Sequence, residues 1–414
     1  MMNPLLIIWA SLRQYRFSAL AFVLLIAAGT SLSVAIISQE RALRTGSARA
    51  ADRFDLVVAA PGSRTDALLT SVFLQPGSAR LLSPEMTARL LNDPNAAFVS
   101  PLAFGDSIRG TPVVGVTASL VDHLSDGLAE GRLFLSRQEA VIGSASPLSV
   151  GQKFRPAHGV HSQDAPEDDD HDAGGHAHAE THDIALTVVG RMKPTGSPWD
   201  RAVTIPVEVV WDAHGLPPGH PEGSTQIGPP FDPARTPGIP AAVVHSRTVA
   251  SAYKLRQAYT TNDSMAFFPA EALIQLYSVV GDVRQLMSIL AVITQALVLL
   301  AIVSSVLILL RLLMPQFVTL RALGAPRLYV FAAAWGFMAA LVLVGVAIGL
   351  VGGYALSFGI SLWLSNRTGI ALTPSLGEAE ILIGLSILAI GLVLALVPAS
   401  RLQRRPLAEA IAKY

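Results

Sequence analysis

Four long apolar stretches limit what this chain can fold into, because each is as long as a helix that crosses a lipid bilayer. A transmembrane helix takes about 20 consecutive apolar residues. The stretches run from about Phe17 to Ser38, from about Leu286 to Leu313, from Leu328 to about Leu364, and from Ile381 to Val397. Charged residues make up only 14% of the chain, against roughly a quarter in soluble domains. The sequence therefore predicts a membrane protein with four transmembrane helices.

The first and third stretches differ from a simple span. The apolar run of the first is longer than the about 7–15 residues of a signal peptide, and no small-residue cleavage site closes it. We therefore expect an uncleaved anchor. At about 1.5 Å per residue the third stretch reaches roughly 55 Å, which exceeds the bilayer core. A tilt, a break near Gly352 and Gly353, or a projection beyond the bilayer would accommodate the excess.

Basic residues near the ends of the stretches predict the orientation, because Lys and Arg are enriched on the cytoplasmic side. They are Arg13 and Arg16 before the first stretch, Arg311, Arg321 and Arg327 between the second and third, and Arg401, Arg404, Arg405 and Lys413 after the fourth. Four arginines after the first stretch, beginning with Arg41, do not fit this rule, but long domains translocate largely regardless of charge. We expect both termini in the cytoplasm and residues 39–284 outside it.

The segment between the first two stretches alternates short β-like runs with turn residues, and helical stretches such as Pro84–Leu91 lie among them. The runs are at 55–62, 98–107, 111–118, 139–144, 185–192 and 202–211. Residues 217–240 are rich in Pro and Gly, which is typical of an irregular loop. The pattern predicts an α+β domain. After Pro269, the residues Leu273, Leu276, Tyr277 and Val280 recur with helical spacing and predict a stalk helix that continues into the second stretch.

Six of the ten histidines lie in one polar segment rich in Asp and Glu. They are His158, His161, His171, His176, His178 and His182. Imidazole and carboxylate groups suit zinc, and also nickel, copper or cobalt. We expect this His-rich loop, residues 158–183, to bind a metal, with zinc as the first choice. A polar linker without any ligand is the alternative. A catalytic metal is disfavoured because no H-E-x-x-H helix occurs.

Four histidines lie outside this loop. His214, in a Trp-Asp-Ala-His-Gly run, and His220 are placed to complete a metal site, although a structural role is the alternative for each. We include His214 among the expected ligands. His123 and His245 are expected to have ordinary roles. Cysteine is absent from the chain, so any metal must be bound by His, Asp or Glu.

Residues 319–330 join the second and third stretches on the predicted cytoplasmic side. They place apolar Leu320 and Leu323 beside basic Arg321 and Arg327, and they contain a Gly-Ala-Pro break. A loop that only had to be soluble would not need the leucines. The pattern therefore predicts a short helix with an amphipathic surface for a cytoplasmic partner.

The chain lacks the motifs of an enzyme. No G-x-x-x-x-G-K-[ST] phosphate loop occurs, so the chain is not expected to hydrolyse ATP by itself. No G-x-S-x-G elbow occurs either. The formal net charge is +0, and no basic patch is interleaved with aromatic residues, which argues against nucleic acid as a partner. Few charges lie inside the apolar stretches, so no proton or ion relay is visible.

These segments together resemble the MacB/FtsX/LolC-type ABC permeases, a family that works by mechanotransmission. The order of one span, a large outer domain and three further spans matches over the whole length. The run Thr-Leu-Arg-Ala-Leu-Gly-Ala-Pro-Arg at 319–327 is similar to the family's cytoplasmic coupling helix. Residues 130–134 (EGRLF), 140–143 (AVIG) and 148–151 (LSVG) are similar to runs of the family's outer domain, and 405–411 (RPLAEAI) is similar to its terminal pattern.

The resemblance implies partners and a location. A separate cytoplasmic ABC ATPase would contact Leu320, Arg321, Leu323, Gly324, Ala325 and Arg327, and ATP would act only through that subunit. A second permease chain, as in a homodimer, and the bacterial inner membrane with a MacB-like periplasmic domain are also implied. The His-rich loop departs from the family pattern, which favours a metal-linked subgroup concerned with zinc or with a periplasmic metal-binding protein.

Two other functions stay open at this point. One is a non-transport regulator or scaffold of a periplasmic envelope enzyme, as FtsX-type members are. The other is an exporter that moves lipoprotein or drug through a periplasmic adaptor. The sequence does not discriminate between these functions, because no motif of the chain identifies a substrate.

These inferences divide the chain into eight segments. They are residues 1–38 (interfacial helix and first span), 39–264 (periplasmic α+β domain), 265–313 (stalk helix and second span), 314–327 (coupling helix), 328–364 (third span), 365–380 (periplasmic loop), 381–400 (fourth span) and 401–414 (cytoplasmic tail). At the start of the chain, Leu6, Trp9 and Leu12 recur at near-helical spacing ahead of Arg13. This pattern is typical of a helix that lies on membrane lipid.

Overall fold

Long apolar helices form one part of this chain, and an eleven-stranded sheet forms the other. The structure, a computed structural model, describes residues 4–77, 80–108, 110–158, 184–279 and 281–404. The helical unit comprises Met1–Arg44, Gly281–Trp363 and Leu372–Tyr414, and the α/β unit comprises Thr45–Val280 and Leu364–Ala371. The two units correspond to the predicted combination of apolar helices and an α+β domain.

Helices and strands are numbered in chain order within the described residues. The α-helices are α1 (Pro4–Gln14), α2 (Arg16–Ala51), α3 (Arg64–Ser71), α4 (Pro84–Leu91), α5 (Ala118–Ser125), α6 (Val207–Ala213), α7 (Val249–Ala258), α8 (Pro269–Val279), α9 (Gly281–Ala322), α10 (Arg327–Thr368) and α11 (Glu378–Arg404). The strands are β1 (Leu56–Ala59), β2 (Ala96–Ile108), β3 (Thr111–Val116), β4 (Leu128–Gly131), β5 (Glu139–Ile142), β6 (Lys153–Phe154), β7 (Ala157–His158), β8 (Leu186–Met192), β9 (Val203–Pro206), β10 (Ala241–Ser246) and β11 (Met265–Phe267).

Three helices in the described part of the chain are long and apolar enough to cross a membrane. They are Arg16–Ala51 (α2), Arg327–Thr368 (α10) and Glu378–Leu396 within α11. The second predicted span falls inside α9, where the apolar stretch among the described residues is the shorter Val292–Ser304. Length and composition therefore support three spans, and the total of four stays a prediction.

The first helix of the chain, α1, has an exposed apolar face. Leu6 is 73% exposed and Trp9 is 70% exposed. Ile8 and Leu12 instead pack on the core of the helical unit, so Leu12 does not share the outer face as its spacing predicts. A helix with an outward apolar face followed by Arg13 has the character of a helix that lies on a membrane surface.

Helices α2 and α10 are in close contact along a row of small residues. On α10, Gly345, Gly349 and Gly353 recur every fourth residue and meet side chains of α2. A Cβ on Gly353 would lie 2.7 Å from the Cβ of Val34. Small residues at this spacing let two helices approach closely in a membrane. The break considered near Gly352 and Gly353 does not occur, because here the glycines admit a neighbouring helix and α10 stays continuous.

A buried ion pair joins α2 to the start of α11. Arg41 Nη2 lies 2.8 Å from Glu380 Oε2, and the Glu380 side chain is fully buried. The Gly377 N–H donates to the same carboxylate oxygen at 2.9 Å, and Arg41 donates to the Ser375 carbonyl oxygen at 3.3 Å. A buried carboxylate without a cation would be strongly destabilising. Arg41 does not fit the charge rule for orientation, and this pair gives it a structural reason to be there.

The sheet of the α/β unit has the strand order β11-β1-β10-β2-β3-β9-β5-β8-β4, with β6 paired to β8 and β7 paired to β2. The pairs β3–β9 and β5–β8 are parallel, and the others are antiparallel. Alternate residues of β1 enter different hydrophobic clusters, with Leu56 and Val58 in one and Val57 and Ala59 in the other. This alternation follows the period of two along a strand, and both faces of the sheet are therefore covered.

Two elements of the structure extend across the boundaries predicted for the outer domain. The first predicted span ends at Ser38, but α2 continues to Ala51 because its last residues, with Phe54, enter a core of the α/β unit. Residues 265–267, predicted to begin the stalk, form β11, which pairs with β1. The stalk helix begins only at Pro269, as α8.

The predicted coupling helix at 314–327 is not a separate element. Helix α9 continues through Pro315 to Ala322, and α10 begins at Arg327. A proline removes one helical hydrogen bond, and membrane helices tolerate this loss when neighbouring groups compensate. Helix α11, which contains the fourth predicted span (381–400), is longer than that span and runs from Glu378 to Arg404.

The residues that follow Trp363 belong to the α/β unit. The Ala371 N–H donates to the Gly196 carbonyl oxygen at 3.1 Å, and the Arg201 guanidinium donates to the carbonyl oxygen of Asn366. The predicted loop at 365–380 is correspondingly shorter, since α10 extends to Thr368. The α/β unit therefore includes the last turn of α10 as well as the last turns of α2.

Candidate coupling surface and metal centre

The turn between α9 and α10 closes with a hydrogen-bond pattern typical of a helix end. Gly324 has a φ of +93°, a left-handed conformation that glycine adopts at little cost. The Ala325 N–H donates to the Leu320 carbonyl oxygen at 3.0 Å, and the Gly324 N–H donates to the Arg321 carbonyl oxygen at 3.1 Å. This pair of bonds is the Schellman motif. The Gly-Ala-Pro run thus ends one helix and fixes the start of the next.

Some side chains of the turn are packed on the core, and others are exposed. Leu320 and Ala325 pack on the core of the helical unit. Leu323 is 80% exposed and Leu328 is 71% exposed. Single exposed leucines are common on protein surfaces, but two beside exposed Arg327 form an amphipathic patch. We call the residues Arg321, Leu323, Gly324, Arg327 and Leu328 the coupling surface; Leu328 was not among the predicted coupling residues.

In the α/β unit, the chain segments that lead to and from the helical unit are tied together. Ser47, on the last turns of α2, and Tyr277, on α8, join through their hydroxyl groups. Helix α8 is held further by the Arg256–Glu271 ion pair at 2.9 Å and by burial of Leu273. Leu276 and Tyr277 pack against the same core as Leu273, so three of the four residues predicted to share the apolar face of this helix do so.

Most of the predicted metal ligands lie outside the described residues. These are His161, His171, His176, His178 and His182. The backbone of His158 belongs to β7 and pairs with Asp106 on β2. The structure therefore fixes where the His-rich loop leaves the sheet and leaves its metal binding untested.

The two histidines at and after α6 have local partners. His214 caps α6, and its Nδ1 lies 2.7 Å from the carbonyl oxygen of Val210. The ring also lines a cleft of about 440 Å³ beside Trp211. Among the described residues, His214 does not belong to a cluster of three potential metal ligands.

His220 has a structural environment. Its Nε2 lies 3.4 Å from Glu208 Oε1, both side chains are almost fully buried, and the ring stacks on Phe231. Burial raises the pKa of Glu208, and the Gly228 N–H, which donates to Oε1 at 2.6 Å, opposes this rise. The structural alternative considered for His220 therefore describes its position best.

A cluster of potential metal ligands lies among residues for which the sequence analysis predicted no metal site. Asp55, His123 and His245 each offer a ligand atom, and these atoms lie within 4.8 Å of one another. The His245 Nδ1 contacts Asp55 Oδ2, and the rings of His123 and His245 have centroids 4.5 Å apart. The prediction of ordinary roles for both histidines missed this arrangement.

Three separate segments build the cluster. Asp55 follows the end of α2 and precedes β1, His123 lies on α5, and His245 lies on β10 at a register shift in its pairing with β2. Phe98 of β2 contacts both imidazole rings, at centroid distances of 5.4 Å to His123 and 5.3 Å to His245. No short sequence motif could have revealed the cluster, because only the strand and helix packing brings the segments together.

Hydrogen bonds fix the ring of His123. Its Nε2 lies 3.1 Å from the carbonyl oxygen of Arg53, and Arg53 Nη1 donates to the Leu124 carbonyl oxygen at 2.8 Å. A carbonyl oxygen only accepts, so Nε2 carries the proton and Nδ1 retains a lone pair. Burial lowers the pKa of His123, and the neighbouring His245 lowers it further. The neutral ring is therefore favoured.

A comparison with protein families found a match for part of the chain. Residues 288–407 match the family model described as FtsX-like permease C-terminal. The matched residues run from α9 to α11 and include the turn that carries the coupling surface. A comparison with curated proteins found no match. The family match supports a permease of the FtsX, MacB and LolC type, and with the apolar helices it indicates a membrane protein.

Proposed function

We propose that this chain is the permease subunit of an ABC transporter and that it converts ATP hydrolysis by a separate cytoplasmic ATPase into movement of its α/β unit. The observation that carries the proposal is the match of residues 288–407 to an FtsX-like permease domain. In the proposed assembly, two copies of the chain and two ATPase subunits lie at the bacterial inner membrane. The termini are cytoplasmic, and the α/β unit is periplasmic.

The coupling surface supports the site of ATPase contact. Leu323 and Leu328 are largely exposed, while Leu320 and Ala325 hold the turn against the helical core. A partner that covers the two leucines would gain hydrophobic contact, and the arginines would orient it by charge. In the proposal, the hydrogen-bonded Schellman turn transmits a movement of the partner to α9 and α10.

Continuous helices support the path from the turn to the α/β unit. Helix α10 begins at Arg327, beside the turn, and its last residues belong to the α/β unit. Helix α2 contacts α10 through Gly345, Gly349 and Gly353 and also continues into the α/β unit. Ser47 and Tyr277 then link α2 to α8. A movement at the turn would thus reach the sheet through helices rather than through loops.

Permease-stimulated ATP turnover tests the contact. The chain would be reconstituted with its ATPase in lipid nanodiscs, and turnover would be compared with the ATPase alone. Leu323→Asp, and Gly324→Pro combined with Arg321→Glu, should remove most of the stimulation while the chain still inserts into the membrane. Val249→Asp changes a residue of α7 that is 77% exposed and serves as the matched control. Undiminished stimulation in both coupling variants would refute the contact.

We further propose that the transporter handles zinc or a related divalent metal and that the His-rich loop binds it outside the membrane. Six histidines within residues 158–182, interleaved with carboxylates, support this. A periplasmic metal-binding protein is the expected partner of this loop. The test is a zinc titration of the purified full chain beside a chain in which a short Gly-Ser linker replaces residues 159–183. Equal zinc stoichiometry for the two chains would refute the role of the loop.

A further inference from the structure

We infer that Asp55, His123 and His245 form a binding site for one divalent transition metal ion of the zinc type, at the point where α2 joins the sheet. None of the three residues belongs to the His-rich loop. That loop leaves the sheet after β7, which pairs with β2 at Asp106 and Ser107. Phe98, which contacts both imidazole rings of the cluster, lies near the other end of β2.

The ligand set has the chemistry of a zinc site. Two imidazoles and one carboxylate are among the donor sets that zinc uses when one or more positions stay open to water or to a further ligand. The three ligand atoms lie within 4.8 Å of one another. Ligands of a tetrahedral ion at about 2.1 Å lie about 3.4 Å apart, so side-chain movements of about 1 Å would close the site. The chain contains no cysteine that would compete for the ion.

The surroundings orient the ligands as in known metal centres. A metal-binding histidine generally donates its second ring N–H to a carbonyl or carboxylate. The His123 Nε2 has the Arg53 carbonyl oxygen as that partner, which leaves Nδ1 for the ion. Phe98 packs on both rings and limits their rotation. The side chains of Asp55 and His245 are about a third exposed, so an ion and its water can enter.

The position of the site gives the ion a mechanical effect. Asp55 lies four residues after the last residue of α2, whereas His123 and His245 belong to α5 and β10. An ion bound to all three would therefore fasten the connection between α2 and the sheet. If α2 transmits movement, as the proposed function holds, metal occupancy would stiffen that joint. Metal binding itself does not depend on the proposed function.

Metal titration of the full chain tests the site. The chain with residues 159–183 replaced by a Gly-Ser linker removes the histidines of the loop from the measurement. We expect this chain to bind one zinc ion, and cobalt to give the visible absorption of a nitrogen- and oxygen-ligated ion. His123→Gln, His245→Gln and Asp55→Asn should each weaken binding at least tenfold. Asp52→Asn, which changes an exposed carboxylate three residues before Asp55, should leave the affinity unchanged.

Hydrogen exchange separates a lost ligand from a damaged fold. In the loop-replaced chain, zinc should slow exchange of the backbone amides of residues 52–55, and this protection should vanish in the His123→Gln variant. Unchanged exchange elsewhere in the α/β unit would establish that the variant is folded. The inference is overturned if the loop-replaced chain binds no zinc, or if the three ligand variants bind it as tightly as the parent. A normal ATPase response in those variants would not restore the inference, because the inference concerns metal binding alone.

Discussion

Gly349 and Thr30 lie so close that a Cβ added to the glycine would meet the Cβ of the threonine at 2.4 Å. The same added atom would lie 3.0 Å from the carbonyl oxygen of Ala27, and Ser31 Oγ donates to the Gly349 carbonyl oxygen at 3.0 Å. Helices α2 and α10 are thus in backbone-level contact at this point. Any side chain larger than hydrogen at position 349 must push them apart.

Gly349→Ala should therefore destabilise the chain. Overpacking in a tight contact costs about 1–3 kcal/mol, which outweighs the gain of about 1 kcal/mol that alanine brings to a helix. The thermal unfolding temperature in detergent should fall. Gly359→Ala is the control, because its added Cβ meets nothing within 4 Å, and its unfolding temperature should stay equal or rise. Equal behaviour of the two variants would contradict the close contact.

Arg41→Ala should be more damaging than a loss of surface charge. It leaves the fully buried Glu380 carboxylate without its cation, and an uncompensated buried charge costs about 3 kcal/mol or more. Thermal unfolding in detergent would measure the loss. Replacement of both residues by methionine should restore much of the stability, because no lone charge remains buried. A double variant as unstable as Arg41→Ala would show that the pair does not act as a unit.

Tyr277→Phe should weaken transmission while ATPase contact is kept. The change removes the hydroxyl that joins α8 to Ser47 of α2. A single cysteine introduced at Val249 can be labelled selectively, because the chain has no other cysteine. We expect the ATP-dependent change in the distance between labels on two copies to shrink, with ATP turnover within about twofold of the parent. Tyr253→Phe, on the exposed face of α7, is the control; an unchanged distance response in Tyr277→Phe would refute the link.

Glu139→Gln should flatten the acid side of the stability curve. Arg132 donates to both carboxylate oxygens of Glu139, at 2.8 Å and 2.5 Å, and this lowers the pKa of Glu139 to about 2. A lowered pKa contributes stability that is present above the unfolded value near 4.5 and is lost as the pH falls toward 2. The pair is partly solvated, so the contribution at neutral pH is about 1 kcal/mol.

Unfolding temperatures measured from neutral pH down to about pH 3 check this prediction. The parent should lose a large part of its advantage over Glu139→Gln by about pH 3, and the rest only as the pH falls further toward 2. Glu222→Gln changes a 91% exposed carboxylate that pairs with Arg235 at 3.4 Å, and it should alter the curve little. An unchanged difference between the parent and Glu139→Gln across the window would exclude the assigned pKa.

In the α/β unit, residues of the runs on which the family resemblance was based have structural roles. In 130–134, Arg132 pairs with Glu139 and Phe134 is buried. In 140–143, a Cβ on Gly143 would lie 2.3 Å from the carbonyl oxygens of Asp200 and Trp199. These residues hold β4, β5 and the segment before β9 together. These contacts are structural, so the residues of these runs carry no information about a substrate.

The apolar helices, the α+β character of the middle segment and the turn at Gly324 were readable from the sequence, because each depends on residues close together in the chain. Hydrophobic length sets a span, a period of two sets a strand, and a glycine before a proline ends a helix. The tertiary structure alone decided where Arg41 finds Glu380, why the glycines of α10 leave that helix unbroken, and which histidines meet. Asp55, His123 and His245 converge only because the sheet order and the packing of α5 place three distant segments side by side, and local patterns do not encode such long-range contacts.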